Sequence, residues 1–362
     1  MTKVVLDNLR REFGKTVAVD NLSLEIKDKH FVSILGPSGC GKTTILRMVA
    51  GLLPPTKGRI FFDDIDVTEL PPQDRKVGLV SQDYAIFPHM NGFDNIAWGL
   101  KIRKMKLKDI RSKISEISEL LDIKDLLETM PSRMTQSELQ RVALARTLVT
   151  NPNVLLLDEP LSNLDATLRA RMRAELKKLQ AQIEQTVIYV THDQIEAMSL
   201  SDEIALMNFG KLQQYDTPAN IYHKPKNKFV AGFIGSPPMN FIDCSITEEN
   251  GKIYLDNEAF KLDVTHLTED LKRGRSGSEV ILGVRPEDLK VSNSPLKGYF
   301  KFSVYTYEPV GADSIVDIIV GENIIRALTS EAFVPKVGNR IYVRFEVDKI
   351  HIIDKKTENL IV

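Results

Sequence analysis

Apolar residues in the first 235 positions fall into two textures. Short runs at 31–35 and 77–80 read as strands, and Val154-Leu-Leu-Leu157 and Thr186-Val-Ile-Tyr-Val190 run on continuously instead of alternating. That continuity predicts strands covered on both faces, as in a largely parallel sheet. Ile110, Ile114, Ile117 and Leu121 instead recur at helical spacing, with Lys, Arg and Glu in the intervals. Leu168, Met172, Leu176, Leu179 and Ile183 mark a second amphipathic helix. The apolar run at 44–50 ends at Gly51 and Pro54-Pro55, which are helix stop signals. The expectation is an α/β domain over 1–235, with a mostly helical insertion at about 86–150.

The texture changes near Gly235-Ser-Pro-Pro238. Ile341, Val343, Phe345 and Val347 alternate with Tyr342, Arg344, Glu346 and Asp348, a strand period of two. Residues 299–307 also read as strand, and Lys297-Gly298 and Val337-Gly-Asn339 are turn signals. Residues 236–362 are expected to form a small β-rich domain without a catalytic constellation. A length of 362 residues, too long for one ordinary core, agrees with two domains.

The charge balance, 48 basic against 49 acidic residues, gives no broad basic field for nucleic acid. No segment approaches the ~18 apolar residues of a membrane-crossing helix, and Met1 to Asp7 lacks the apolar stretch of a signal peptide. Two cysteines, Cys40 and Cys244, suit reduced thiols better than a structural disulfide. His30, His89, His223, His266 and His351 show no metal-ligand spacing.

Chemistry enters with Gly36-Pro-Ser-Gly-Cys-Gly-Lys-Thr43, which fits GxxxxGK[ST] between an apolar strand and the helix that Thr44 opens. Gly36, Ser38, Gly39, Cys40 and Gly41 would curl so that their amides hold phosphate oxygens at a helix N-terminus. Lys42 would reach the β- and γ-phosphates, and Thr43 would ligate Mg²⁺. The pattern thus implies a nucleoside triphosphate. Cys40 has two readings: a small residue that fits the loop, or a thiolate favoured by that N-terminus whose alkylation would block nucleotide binding.

Four further features suit hydrolysis. Asp158 and Glu159 end a buried strand, where Asp158 would hold Mg²⁺ through water and Glu159 would polarise the attacking water. His192 closes the next strand at the same sheet edge. Gln82, after the 77–80 run, offers an amide to Mg²⁺ or to that water. Asp165, at the start of a helix, would be a cap or a dimer contact.

Leu157-Asp-Glu-Pro-Leu-Ser-Asn-Leu-Asp165, Tyr189-Val-Thr-His-Asp-Gln194 and Tyr84-Ala-Ile-Phe-Pro-His-Met90 carry a resemblance. Over nearly its whole length the chain resembles the ATP-binding subunits of ABC transporters, specifically carbohydrate importers of the maltose and multiple-sugar type. Gly235-Ser-Pro-Pro-Met-Asn-Phe241 and Gly283-Val-Arg-Pro-Glu-Asp288 resemble the accessory OB/TOBE-like domain of that branch. The former string leans toward sugars over polyamines or inorganic anions. The resemblance implies a P-loop ATPase that uses ATP and Mg²⁺ and pairs head to tail with a second ATP-binding subunit. It also implies two transmembrane permease subunits engaged through the region after Gln82, an extracytoplasmic solute-binding protein acting indirectly, and a peripheral place on the cytoplasmic side of the membrane. By the same resemblance Phe13 stacks on adenine and Arg141 follows the signature motif.

That signature usually reads Leu-Ser-Gly-Gly-Gln, and here the aligned residues are Met134-Thr135-Gln136-Ser137-Glu138. Thr135 keeps a hydroxyl for the γ-phosphate. Gln136 and Ser137 would strain a backbone that asks for glycine and hold the partner's ATP away. Glu138 would add negative charge beside a triphosphate. Three readings stay open: an importer motor, a nucleotide-binding regulatory or structural subunit with little hydrolysis, and one half of a heterodimeric ATPase.

Overall fold

The computed structural model describes residues 2–362 apart from 163, 183, 184, 275 and 276. Its contacts divide the chain into two compact units, 1–218 and 219–362. In the first unit a six-stranded sheet runs β10-β9-β3-β8-β7-β6. Its strands are β3 (Phe31–Leu35), β6 (Val77–Val80), β7 (Val154–Asp158), β8 (Thr186–Thr191), β9 (Glu203–Asn208) and β10 (Lys211–Asp216). All neighbours are parallel except β9 and β10. A second, antiparallel sheet in the order β2-β1-β4-β5 combines β1 (Val4–Phe13), β2 (Thr16–Ile26), β4 (Lys57–Phe62) and β5 (Ile65–Asp66).

The continuous apolar runs have a simple cause. Successive strand residues point to opposite faces, and both faces are covered. Leu155, Leu157, Val187 and Tyr189 join one core with the helices, while Val154, Leu156, Ile188 and Val190 join another with the antiparallel sheet. The helix α1 (Lys42–Val49) belongs to the second core through Ile45, Leu46, Met48 and Val49.

Between β6 and β7 lie α2 (Gly92–Ile102), α3 (Leu107–Leu120) and α4 (Gln136–Leu148), the expected helical insertion. The spacing of Ile110, Ile114, Ile117 and Leu121 matches their burial against Ile96, Leu100 and Val142. The helix α5 (Ala166–Gln182) buries Met172, Leu176 and Leu179 in the same core, with Leu168 at its margin. Ile183 of the expected stripe lies outside the described residues. The short α6 (Gln194–Leu200) follows β8.

The second unit holds two five-stranded antiparallel sheets built from segments between Asn240 and Asp354. Ile341, Val343 and Phe345 are buried as their alternation predicts, and the Phe260 ring packs tilted against Phe345 in the core, with centroids 4.9 Å apart. The division at 218/219 precedes the change of texture near 235 for a visible reason. The helix Lys228–Phe233 and the residues before it hydrogen-bond to the chain terminus, Lys228 N to Glu358 O and Leu360 N to Lys226 O. Ala231 also packs with Met239, Ile281 and Ile353.

Candidate functional site

Four adjacent strands, β3, β8, β7 and β6, open at one sheet edge. Leu35 pairs with Thr191, Asp158 with Val190 and Val80 with Leu157. The 36–41 loop, His192, Glu159 and Gln82 therefore leave the sheet together, at the carboxyl ends where α/β folds hold ligands.

The loop turns sharply over its own lysine. Lys42, 5% exposed, donates from Nζ to the Gly36 and Pro37 carbonyls at 2.9 and 3.0 Å. Gly41 has φ 103°, and a Cβ there would stand 2.3 Å from the Ala18 carbonyl, so no other residue fits without moving β2. At Gly39, φ 79°, nothing lies within 4 Å of a Cβ position, which leaves that side open to a ligand. Ser38 is exposed and Thr44 half-buried on α1.

Cys40 corrects an expectation. Its side chain is buried beneath the loop, and burial pushes the thiol up from its ordinary value, ahead of the opposing pull of Lys42. Desolvation outweighs the helix N-terminus, so the thiolate is disfavoured.

Thr43 Oγ1 donates to Asp158 Oδ1 at 3.1 Å. Burial raises the Asp158 carboxyl, with the Thr43 hydrogen bond opposing. A carboxylate short of water beside a hydroxyl is a hard-oxygen set that gains from a small divalent cation. These residues fit Mg²⁺ on a triphosphate. Glu159 sits at φ 44°, an uncommon angle for a side-chain-bearing residue, with its amide donating to Val190 O at 2.9 Å. Its Oε2 is 3.0 Å from His192 Nδ1. Gln82 Nε2 donates to Ser162 Oγ at 3.2 Å, and that hydroxyl donates to the Glu159 carbonyl at 2.9 Å.

The aligned signature residues lie elsewhere. Thr135 caps α4, accepting from Glu138 N, while Glu138 Oε2 accepts from Thr135 N at 2.6 Å and from the Thr135 hydroxyl at 2.9 Å. Those bonds from Thr135 hold the Glu138 carboxyl below the usual range. Ser137 Oγ contacts Met172 Sδ at 3.2 Å on α5. Gln136 and Ser137 take ordinary helical angles as the first residues of α4, so the expected glycine-type strain is absent. A capping box replaces it, because threonine and glutamate three apart satisfy the first helical amides reciprocally.

Asp165 acts as a cap, its Oδ1 accepting from Thr167 N and Leu168 N at 3.0 Å each. Phe13 is 48% exposed at the end of β1, under the Arg11 guanidinium at 4.7 Å. Its partner strand β2 carries Ala18 against Gly41, which puts the hairpin beside the loop. Arg141 Nη1 donates to Asp122 O at 2.8 Å.

Sequence reasoning missed Ser162, Arg146 and Arg169. Arg146 on α4 donates to the Tyr84 and Ala85 carbonyls at 2.7 Å each, tying that helix to the segment after Gln82. Arginines on an amphipathic helix look like a solvated face, and only the packing of distant elements distinguishes these two.

Residues 19–162 match the ABC transporter family and residues 235–289 the MalK OB fold domain. The chain is 46% identical to the trehalose/maltose import ATP-binding protein MalK of Thermococcus litoralis, over 99% of each. It is 37% identical to the sulfoquinovosyl glycerol transport ATP-binding protein SmoE of Agrobacterium fabrum, over 100% of each. It is also 40% identical to the sn-glycerol-3-phosphate import ATP-binding protein UgpC of Salmonella typhi, over 95% of each. Among solved structures, a dimeric ATP-binding cassette with ADP and phosphate in a post-hydrolysis state is 29% identical, with TM-score 0.53, over 59% of this chain and 98% of that one. The cbiO1 protein of Clostridium perfringens, part of an ABC transporter complex, is 25% identical, with TM-score 0.56, over 60% and 89%. With its P-loop ATPase unit and OB-fold region, this chain belongs to the ATP-binding proteins of the ABC transporter family.

Proposed function

We propose that this chain is the ATP-hydrolysing motor of a carbohydrate importer. The observation that carries the reading is the convergence of Lys42, Thr43, Asp158, Glu159 and His192 at one sheet edge. Full-length similarity to import proteins for maltose, a sulfoquinovosyl glycerol and glycerol phosphate supports a polyhydroxylated substrate over a polyamine or an inorganic anion.

In this reading the backbone N–H groups of Gly36 and of residues 38–44, with the Lys42 ammonium, bind the triphosphate. Thr43, Asp158 and Gln82 hold Mg²⁺, which when bound offsets phosphate charge. Glu159 orients and deprotonates the attacking water, and His192 steadies that carboxylate and the γ-phosphate side. Phe13 covers the adenine face. Phosphoryl transfer depends on such positioning, so the residues contribute through geometry fixed before ATP arrives.

Residues 135–138 and Asp165 would serve a second ATP-binding subunit, packed head to tail against this one. Closing and reopening of that pair would drive two permease subunits, with a solute-binding protein acting on the far side and this chain on the cytoplasmic face. Among the described residues no helix is long and apolar enough to cross a membrane, in keeping with a peripheral place. The test is Mg-ATP hydrolysis by the purified chain and sugar uptake by vesicles holding the reassembled importer. Uptake lost with Lys42→Ala supports the reading. Uptake that persists with Lys42→Ala sinks it.

A further inference from the structure

A ring of contacts closes through the Arg169 side chain on α5. Ser162 donates from N and Oγ to the Glu159 carbonyl at 3.2 and 2.9 Å. Two residues on, the Leu164 carbonyl accepts from Arg169 Nη2 at 3.0 Å. Arg169 Nη1 reaches Asp193 Oδ2 at 3.4 Å, and its Nε lies 4.0 Å from Glu196 Oε1. Asp193 adjoins His192, whose Nδ1 returns to Glu159 at 3.0 Å.

Each station is itself fixed. Asp193 Oδ1 caps α6, accepting from Ile195 N and Glu196 N, and Asp193 N donates to Thr191 Oγ1 at 3.0 Å. Buried Glu196 accepts from Tyr189 Oη at 2.8 Å and from Thr191 Oγ1 at 2.6 Å, holding the strand end just before His192. Arg169 in the first turn of α5 is the cross-brace between Asp193 and the Leu164 carbonyl.

We propose that Arg169 is a positioning residue for hydrolysis, fixing the two strand-end turns so that His192 and Glu159 stay in contact. The inference rests on the hydrolytic roles read above for those two residues. A guanidinium suits the task because its planar fork serves a carbonyl and a carboxylate in different directions at once. An ammonium on a flexible stem holds one of them well. Arg169 approaches the reaction only through other residues, so its loss should reduce turnover without weakening nucleotide binding.

The test is steady-state Mg-ATP hydrolysis by the full-length chain carrying Arg169→Ala, Arg169→Lys, Asp193→Asn, the Arg169→Ala/Asp193→Asn pair or Glu159→Gln. Arg169→Ala should lower kcat about 10- to 100-fold, the scale of a small misplacement in an active site, with the nucleotide KM within about twofold. Arg169→Lys should recover part of the loss. The pair should fall no more than about threefold below its slower single variant, because both changes open one ring. Parental kcat in Arg169→Ala, or a fall in nucleotide affinity equal to the fall in kcat, overturns the proposal. Should Arg169→Ala fail to fold, Arg169→Lys decides, since a parental kcat there means the fork is not needed. Parental turnover in Glu159→Gln removes the hydrolytic reading and this proposal together. An inactive Glu159→Gln beside an unaffected Arg169→Ala removes the brace alone.

Discussion

His192 Nδ1 and Glu159 Oε2 meet at 3.0 Å across the ends of the paired strands β8 and β7. A carboxylate only accepts, so the imidazole donates from Nδ1, which leaves Nε2 directed elsewhere. Glu159 is held at φ 44° by its amide bond to Val190 O. The chain therefore spends backbone strain to fix this carboxylate beside the loop, as active sites often do.

From that contact, Glu159→Gln should reduce Mg-ATP hydrolysis by about 100-fold or more, the usual contribution of a positioned base. ATP affinity should hold, and ATP should now favour a stable dimer. Phosphate release read beside size-exclusion elution with Mg-ATP checks both expectations, and a parental rate would remove Glu159 from the role.

The capping box makes a different kind of prediction. Gln136→Gly/Ser137→Gly should cost about 1 kcal/mol of stability, because glycine is a poor helix former and no strained angle is relieved. Glu138→Ala, which opens the cap, should cost a similar ~1 kcal/mol. Under the motor reading the glycine pair should change turnover by less than about threefold, under ~1 kcal/mol of barrier. Activity appearing only in the glycine pair would instead favour a partner that supplies its own signature.

Neither cysteine should behave as a reactive thiol. Burial raises Cys40 and pushes Cys244 up to about 12. A neutral-pH alkylating agent should label the native chain slowly and the denatured chain fully, as read by intact mass. Fast labelling of native Cys40 would contradict its burial.

His351, 9% exposed, is pushed down to about 4, first by burial and then by Arg285 and His223, with Asp288 opposing. Its folded value lies below the unfolded ~6.5, so the unfolded chain takes up a proton first as pH falls. Stability should thus drop from about pH 6.5 toward pH 4, by about 2 kcal/mol at pH 5. Denaturant unfolding of the parent and of His351→Gln at about pH 7 and about pH 5 measures it. Equal slopes in both would mean that His351 is not the source.

Some of this was legible in the chain and some was not. The 31–35 strand, the 36–43 loop and Asp158-Glu159 were readable because local chemistry constrains them: phosphate recognition needs glycine, lysine and hydroxyl at fixed spacing. The 110–121 stripe was readable because burial of one helix face imposes its own period. Glu138 was read only as charge beside a phosphate, and its part in a capping box was not seen. Its carboxylate belongs to its own helix, as its spacing of three from Thr135 allowed. For Cys40 the thiolate reading failed and the small-residue reading stands, because a helix N-terminus is visible in sequence and desolvation is not.

By itself the sequence determined the nucleotide loop, the strands that carry the carboxylates and the imidazole, and the two textures of the chain. Each is set by residues near one another along the backbone. Only the tertiary structure decided that Arg169 braces Leu164 against Asp193, that Arg146 grips the segment after Gln82, and that residues 219–235 join the second unit. Those depend on contacts between distant segments, where an arginine or an apolar helix looks the same in the chain whatever it touches.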